Sequence, residues 1–124
     1  MGALANLEHL DLYQNQIGDA GMQAFSTAIA RLGSLQTLDL DDNEILDAGM
    51  VSFSEAISKG SLAQLKTLRL VGNTIPGAGM VSFSEAIARQ ALASLKELVV
   101  DDGPLGNEHP ALKAACEARG ITLE

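Results

Sequence analysis

Leucines set the rhythm of this chain. Leu7, Leu10 and Leu12 are followed by Asn15 and Ile17, and the same spacing returns as Leu35, Leu38, Leu40, Asn43, Ile45 and as Leu65, Leu68, Leu70, Asn73, Ile75. A fourth copy is degenerate, with Leu95, Leu98, Val100, Gly103 and Leu105. In each copy the closing L-x-L alternates, which predicts a short strand with its apolar side chains on one face. The asparagine then turns the chain away, and its amide can bond the backbone of neighbouring turns as a ladder.

Between these strands the apolar period lengthens to that of a helix. Met22, Phe25 and Ile29 are repeated as Met50, Phe53, Ile57 and as Met80, Phe83, Ile87. Residues 48–57 recur unchanged at 78–87, an offset of 30, and residues 20–29 are the same unit with three substitutions, offset by 28. Asp19 and Asp47 stand where a helix N-cap belongs, and Arg31, Lys59 and Arg89 fall in the last turn, where they favour the helix dipole. In the third helix Gly77, after Pro76, takes the place of the capping aspartate, so a weaker start is expected there.

This alternation of L-x-x-L-x-L-x-x-N-x-I with an amphipathic helix resembles the leucine-rich repeats of the ribonuclease-inhibitor-like type, over nearly the whole chain. The departures are Gly103 in place of the last asparagine and a two-residue deletion between Ile29 and Leu35. The resemblance implies an α/β fold, a right-handed solenoid with parallel strands on the concave side and helices on the convex side. A single domain over residues 1–124 is expected, with repeats at about 7–34, 35–64 and 65–94 and a degenerate repeat and C-terminal cap at 95–124.

The two ends read differently. Pro110 suits a first helical position, Leu112, Ala115 and Cys116 form an apolar stripe, and Gly120 stops the helix; Ile121-Thr-Leu123 adds a last short strand. Lys113, Glu117 and Arg119 are expected to face water. At the start, residues 3–7 match residues 91–95, the tail of a repeat, so the N-terminal cap is read as absent. Leu7, Leu10, Leu12 and Phe25 are then expected to lie on an uncovered apolar end. Two explanations are compatible with this and with each other: the chain is the C-terminal part of a longer array, or two copies pair at that end as a homodimer.

Composition narrows the partners. With 47% hydrophobic but only 3% aromatic residues, the core must be aliphatic. A formal charge of −8 argues against nucleic acid and anionic membrane, which require clustered Lys and Arg. One cysteine, Cys116, excludes an internal disulfide, and neither a signal peptide nor a membrane span is visible, which together point to a cytoplasmic setting. No cofactor is expected.

On repeats of this kind, side chains between the leucines face the concave surface in side-by-side columns. The first column is His9, Thr37, Thr67, Glu97; the second Asp11, Asp39, Arg69, Val99; the third Tyr13, Asp41, Val71, Asp101; Gln14, Asp42, Gly72 and Asp102 lie just beyond. His9, Asp11, Tyr13, Asp39, Asp41, Asp42, Arg69, Glu97, Asp101 and Asp102 are thus the candidate partner-binding residues. They form an acidic face for a protein partner with a basic surface, with Tyr13 as an aromatic anchor. The competing reading is a solvated face on a structural C-terminal segment of a longer receptor or regulator, with no binding role of its own. An enzyme is not expected. No Ser or Cys lies on this face to act as a nucleophile beside His9 and Asp11, and the paired aspartates at 41–42 and 101–102 are a full repeat apart, about 9–10 Å, too far for one ion to bridge.

Overall fold

Each leucine motif becomes one strand and each Met–Phe–Ile motif one helix. The computed structural model describes residues 2–124. After a single helical turn α1 (Gly2–Ala5), the elements are β1 (His9–Asp11), α2 (Gly18–Ala28, continued by a 3-10 turn at Ile29–Arg31) and β2 (Thr37–Asp39). Then come α3 (Asp47–Ser58), β3 (Thr67–Arg69), α4 (Gly77–Ala88), β4 (Glu97–Val99), α5 (Pro110–Arg119) and β5 (Thr122–Leu123). The strands form one parallel sheet in chain order, and register sets Leu10, Leu38, Leu68, Leu98 and Leu123 side by side. This is an α/β solenoid.

The core is a set of columns. Leu38, Leu40, Ile45, Met50, Phe53 and Ile57 are at most 1% exposed, and their counterparts Leu68, Leu70, Ile75, Met80, Phe83 and Ile87 at most 4%. Phe53 and Phe83 meet with ring centroids 6.4 Å apart. The first repeat breaks the pattern: Leu7, Leu10, Leu12, Ile17 and Phe25 occupy the same positions but are only partly buried. Leu4 is 55% exposed, whereas its counterparts Leu32, Leu62 and Leu92 are at 6%, 2% and 2%.

The asparagines tie each turn to the one before it. Asn43 Oδ1 accepts the Asn15 N–H at 2.8 Å and its Nδ2 donates to the Leu12 carbonyl at 2.8 Å. Asn73 repeats this on Asn43 and Leu40, at 2.9 Å each. Around both, the backbone takes positive φ on either side of the asparagine, at Asp42 and Glu44 and again at Gly72 and Thr74. Such a conformation is strained for side chains other than glycine and needs fixed partners to persist.

Helix capping differs from the sequence expectation. Asp19 lies inside the first turn of α2 and accepts the N–H groups of Leu46 and Gly49, at 2.8 and 2.9 Å, so it caps the helix of the next repeat. Gly49 permits this, since a Cβ there would lie 2.6 Å from Asp19 Oδ1. Asp47 occupies the equivalent place toward α4, but residue 76 is a proline without an N–H, and Asp47 Oδ1 is buried with no hydrogen-bond partner among the described residues. Lys59 and Arg89 sit one residue beyond their helices, as C-caps.

The last helix begins at Pro110, with the His109 side chain accepting the Leu112 N–H, and stops at Gly120 in a left-handed conformation. Lys113 and Glu117 are exposed. Arg119, expected in water, instead folds back: its guanidinium donates to the carbonyls of Ile87, Ala91 and Leu92 at 2.6–2.9 Å, closing the end of α4. Burial lowers its pKa from the ordinary arginine value.

The burial contrast between repeats has a measurable consequence. Phe53→Ala removes a ring packed on all sides and is expected to cost about 3–5 kcal/mol in urea unfolding. Phe25→Ala, at the same place in a repeat covered on one side only, should cost clearly less. Equal losses at the two sites would contradict the nearest-neighbour packing.

Candidate binding surface on the parallel sheet

Strand register sets two of the three expected columns side by side, and the third lies just beyond the strands. His9 pairs with Thr37, Thr37 with Thr67, Thr67 with Glu97 and Glu97 with Thr122. Beside them Asp11, Asp39, Arg69 and Val99 form the second column. Glu124 extends it, because its N–H and C=O bond Leu98 and Val100. His9, Leu10, Asp11, Thr37, Leu38, Asp39, Thr67 and Arg69 line a shallow depression of about 300 Å³.

The carboxylates on this face divide into two kinds. Asp41 is 6% exposed: Oδ1 accepts the Val71 N–H at 2.7 Å and Oδ2 accepts Arg69 Nε at 2.9 Å. Asp39 Oδ1 holds the Asp41 N–H at 2.9 Å, and Asp11 holds the Tyr13 N–H at 3.0 Å in the same way. Asp101 Oδ1 accepts the Gly72 N–H at 2.7 Å. These groups shape the turn after each strand. Asp41 in particular is built in rather than presented, and a partner could not reach it without breaking the Arg69 pair.

Asp11, Asp42 and Asp102 are exposed, and Glu97 is half-buried. Asp102 also accepts the Asn107 side-chain amide at 2.9 Å. Tyr13 is 49% exposed at the rim. His9 Nδ1 lies 2.6 Å from the Thr37 hydroxyl, so the first two members of its column are already joined.

Arg69 is the one basic side chain among the columns. It pairs chiefly with Asp41 and lies 3.8 Å from Asp39, its neighbour in the second column. The hydrogen bond to Asp41, with the charges of Asp41, Asp39 and Glu97, raises its pKa above the ordinary arginine value. The centre of the face is thereby partly neutralised. Acidity with no basic partner among the described residues lies to either side, at Asp11 and Asp42 and at Glu97, Asp102 and Glu124.

Glu124 was missed in the sequence. Its carboxyl is raised above the usual glutamate value, first by a hydrogen bond to Glu97 and then by the charge of that neighbour. The available signal was the alternation Ile121-Thr-Leu123, which carries the strand pattern to residue 124. Cys116 lies at the other side of the molecule's layers, in α5, where burial pushes its thiol up to about 11 and leaves it protonated. Among the described residues no group of three or more His, Cys, Asp or Glu is arranged to hold a metal ion, and no helix is long and apolar enough to cross a membrane.

A family model described as a leucine-rich repeat matches residues 3–26 and 34–54. No curated protein matches the chain.

The two kinds of carboxylate should separate on mutation. Asp41→Ala removes a charged hydrogen bond and strands the Val71 N–H, and is expected to cost about 1.5–3 kcal/mol. Asp42→Asn, which changes an exposed charge and keeps a residue type tolerant of positive φ, should stay within about 0.5 kcal/mol. Chemical denaturation of both variants distinguishes a structural aspartate from a presented one.

Proposed function

We propose that this chain is a leucine-rich-repeat protein-binding module whose acidic concave face receives a basic surface of a partner protein. Its N-terminal end is the second contact surface, through which it self-associates. The period of 28 to 30 residues, with a full helix in each turn, supports assignment to the ribonuclease-inhibitor-like subtype. Solenoids of stacked repeats present extended concave surfaces that such proteins use for binding.

The observation that carries the acidic-face reading is the parallel register. It turns residues 28 to 30 apart in sequence into columns one strand spacing apart, so that carboxylates distant along the chain act on one partner. A depression lined by His9, Asp11, Thr37, Asp39, Thr67 and Arg69 gives these columns a concave centre. Exposed Tyr13 supplies an amphipathic ring at the rim, of the kind enriched at interface anchors. Charge on such a face acts more on encounter rate and specificity than on affinity.

Titration with a lysine-rich peptide, followed by backbone amide shifts, locates the face. Shifts are expected to gather at His9, Thr37, Thr67, Glu97 and the 101–102 turn, and to fade as salt rises. Asp42→Lys with Asp102→Lys should abolish them while the fold persists. Shifts centred instead on helix carboxylates such as Glu55 and Glu85 would overturn the reading.

A further inference from the structure

Among the described residues no strand pairs with the outer edge of β1, and the backbone phase of that edge is fixed by what lies on its other side. The Glu8 carbonyl accepts from Gln36 and Thr37, while the N–H groups of Leu12 and Gln14 donate to Asp39 and Asp41. Alternation along a strand therefore turns the N–H and C=O of His9 and Asp11 away from the second repeat. The Tyr13 N–H is already taken by Asp11 Oδ1, and the Tyr13 carbonyl by Asn15 Nδ2 at 3.2 Å. The edge thus offers the backbone of two residues, His9 and Asp11, with Leu10 between them.

We propose that β1 pairs antiparallel with β1 of a second copy of this chain, about a two-fold axis at Leu10, so that His9 of each copy lies opposite Asp11 of the other. This deepens the self-association reading given above, on which it rests, by assigning its register. Three observations select it. First, only this register makes both outward-facing residues hydrogen-bonded pairs, each exchanging N–H and C=O with its opposite number. Second, it sets unlike side chains across from one another on the concave face: the alternative centred on Asp11 would place two carboxylates in contact, and one centred on His9 would place two imidazoles.

Third, the two-fold brings two apolar ends together. Leu10 meets its own copy on the core side, and Leu7, Leu12 and Phe25 of both copies fall along the same seam. These are the positions whose counterparts in the later repeats are buried to 6% or less, and in the first repeat they are only partly covered. A head-to-tail stack would instead set this apolar end against α5, whose outer face carries exposed Lys113, Ala114 and Glu117. The isologous arrangement is the one in which like chemistry is matched.

Light scattering after size exclusion and sedimentation equilibrium test the proposal on the whole chain. The wild type is expected at twice the chain mass. His9→Pro removes an outward N–H and the side-chain contact to Thr37 but none of the backbone bonds to β2, and should yield a monomer that remains folded by circular dichroism. His9→Asp sets carboxylates opposite one another and should weaken the dimer by about tenfold, and His9→Asp with Asp11→Lys should restore it. A monomeric wild type overturns self-association and the register together, leaving the end as a seat for a further repeat or a foreign strand. A wild-type dimer indifferent to His9→Pro and to the charge swap overturns the register alone.

Discussion

Asn43 and Asn73 bind each turn of the chain to its predecessor, and the rest of the molecule depends on that link. Each side-chain amide bridges a donor and an acceptor of the earlier turn while also bonding its own. The bridge sets the distance and phase between turns. Phase decides that leucines fall beside leucines, that phenylalanines stack, and that the residues between them become a continuous concave wall. An error of one residue would exchange the two faces of every strand, moving the leucines into water. The positive φ angles beside the asparagines are the strain that this geometry holds in place.

The register and the core were legible because they follow from offsets alone. Leu38, Leu68 and Leu98 recur at a fixed interval, and any parallel stacking of equal turns sets them side by side. What could not be read was which direction a polar side chain reaches. Asp19 looks like the cap of its own helix, and only the lateral offset between helices shows it serving the next one. Asp41 looks like one more surface carboxylate in an acidic column. Its burial follows from the turn geometry that brings the Val71 N–H and Arg69 to it. Arg119 looked like a solvated charge near a terminus, yet the carbonyls left unpaired at the end of α4 draw it inward.

The same distinction reshapes the acidic face. A count of carboxylates along the concave columns overstates what a partner meets, because Asp39, Asp41 and Asp101 are at least half-buried as well as engaged by backbone or by Arg69. The acidity that remains is arranged as two flanks around a neutralised centre, with Glu124 on the C-terminal flank. A cationic surface docking here would meet shape in the middle and charge at the sides. Such an arrangement separates orientation from steering, since paired groups at the centre hardly attract at long range whereas flanking charges do.

Arg119 and Asn15 together give the molecule a mechanical polarity. At one end a guanidinium clamps three carbonyls of the preceding turn; at the other, an amide at the chain's outer rung holds only carbonyls of its own loop, at Leu12 and Tyr13. In an array where each unit is steadied only by its neighbours, opening begins where the fewest neighbours exist and travels inward. A single copy of the solenoid thus behaves as a zip with a stop fitted at one end, and its amide protons should be protected in a gradient that rises from the first repeat to the last.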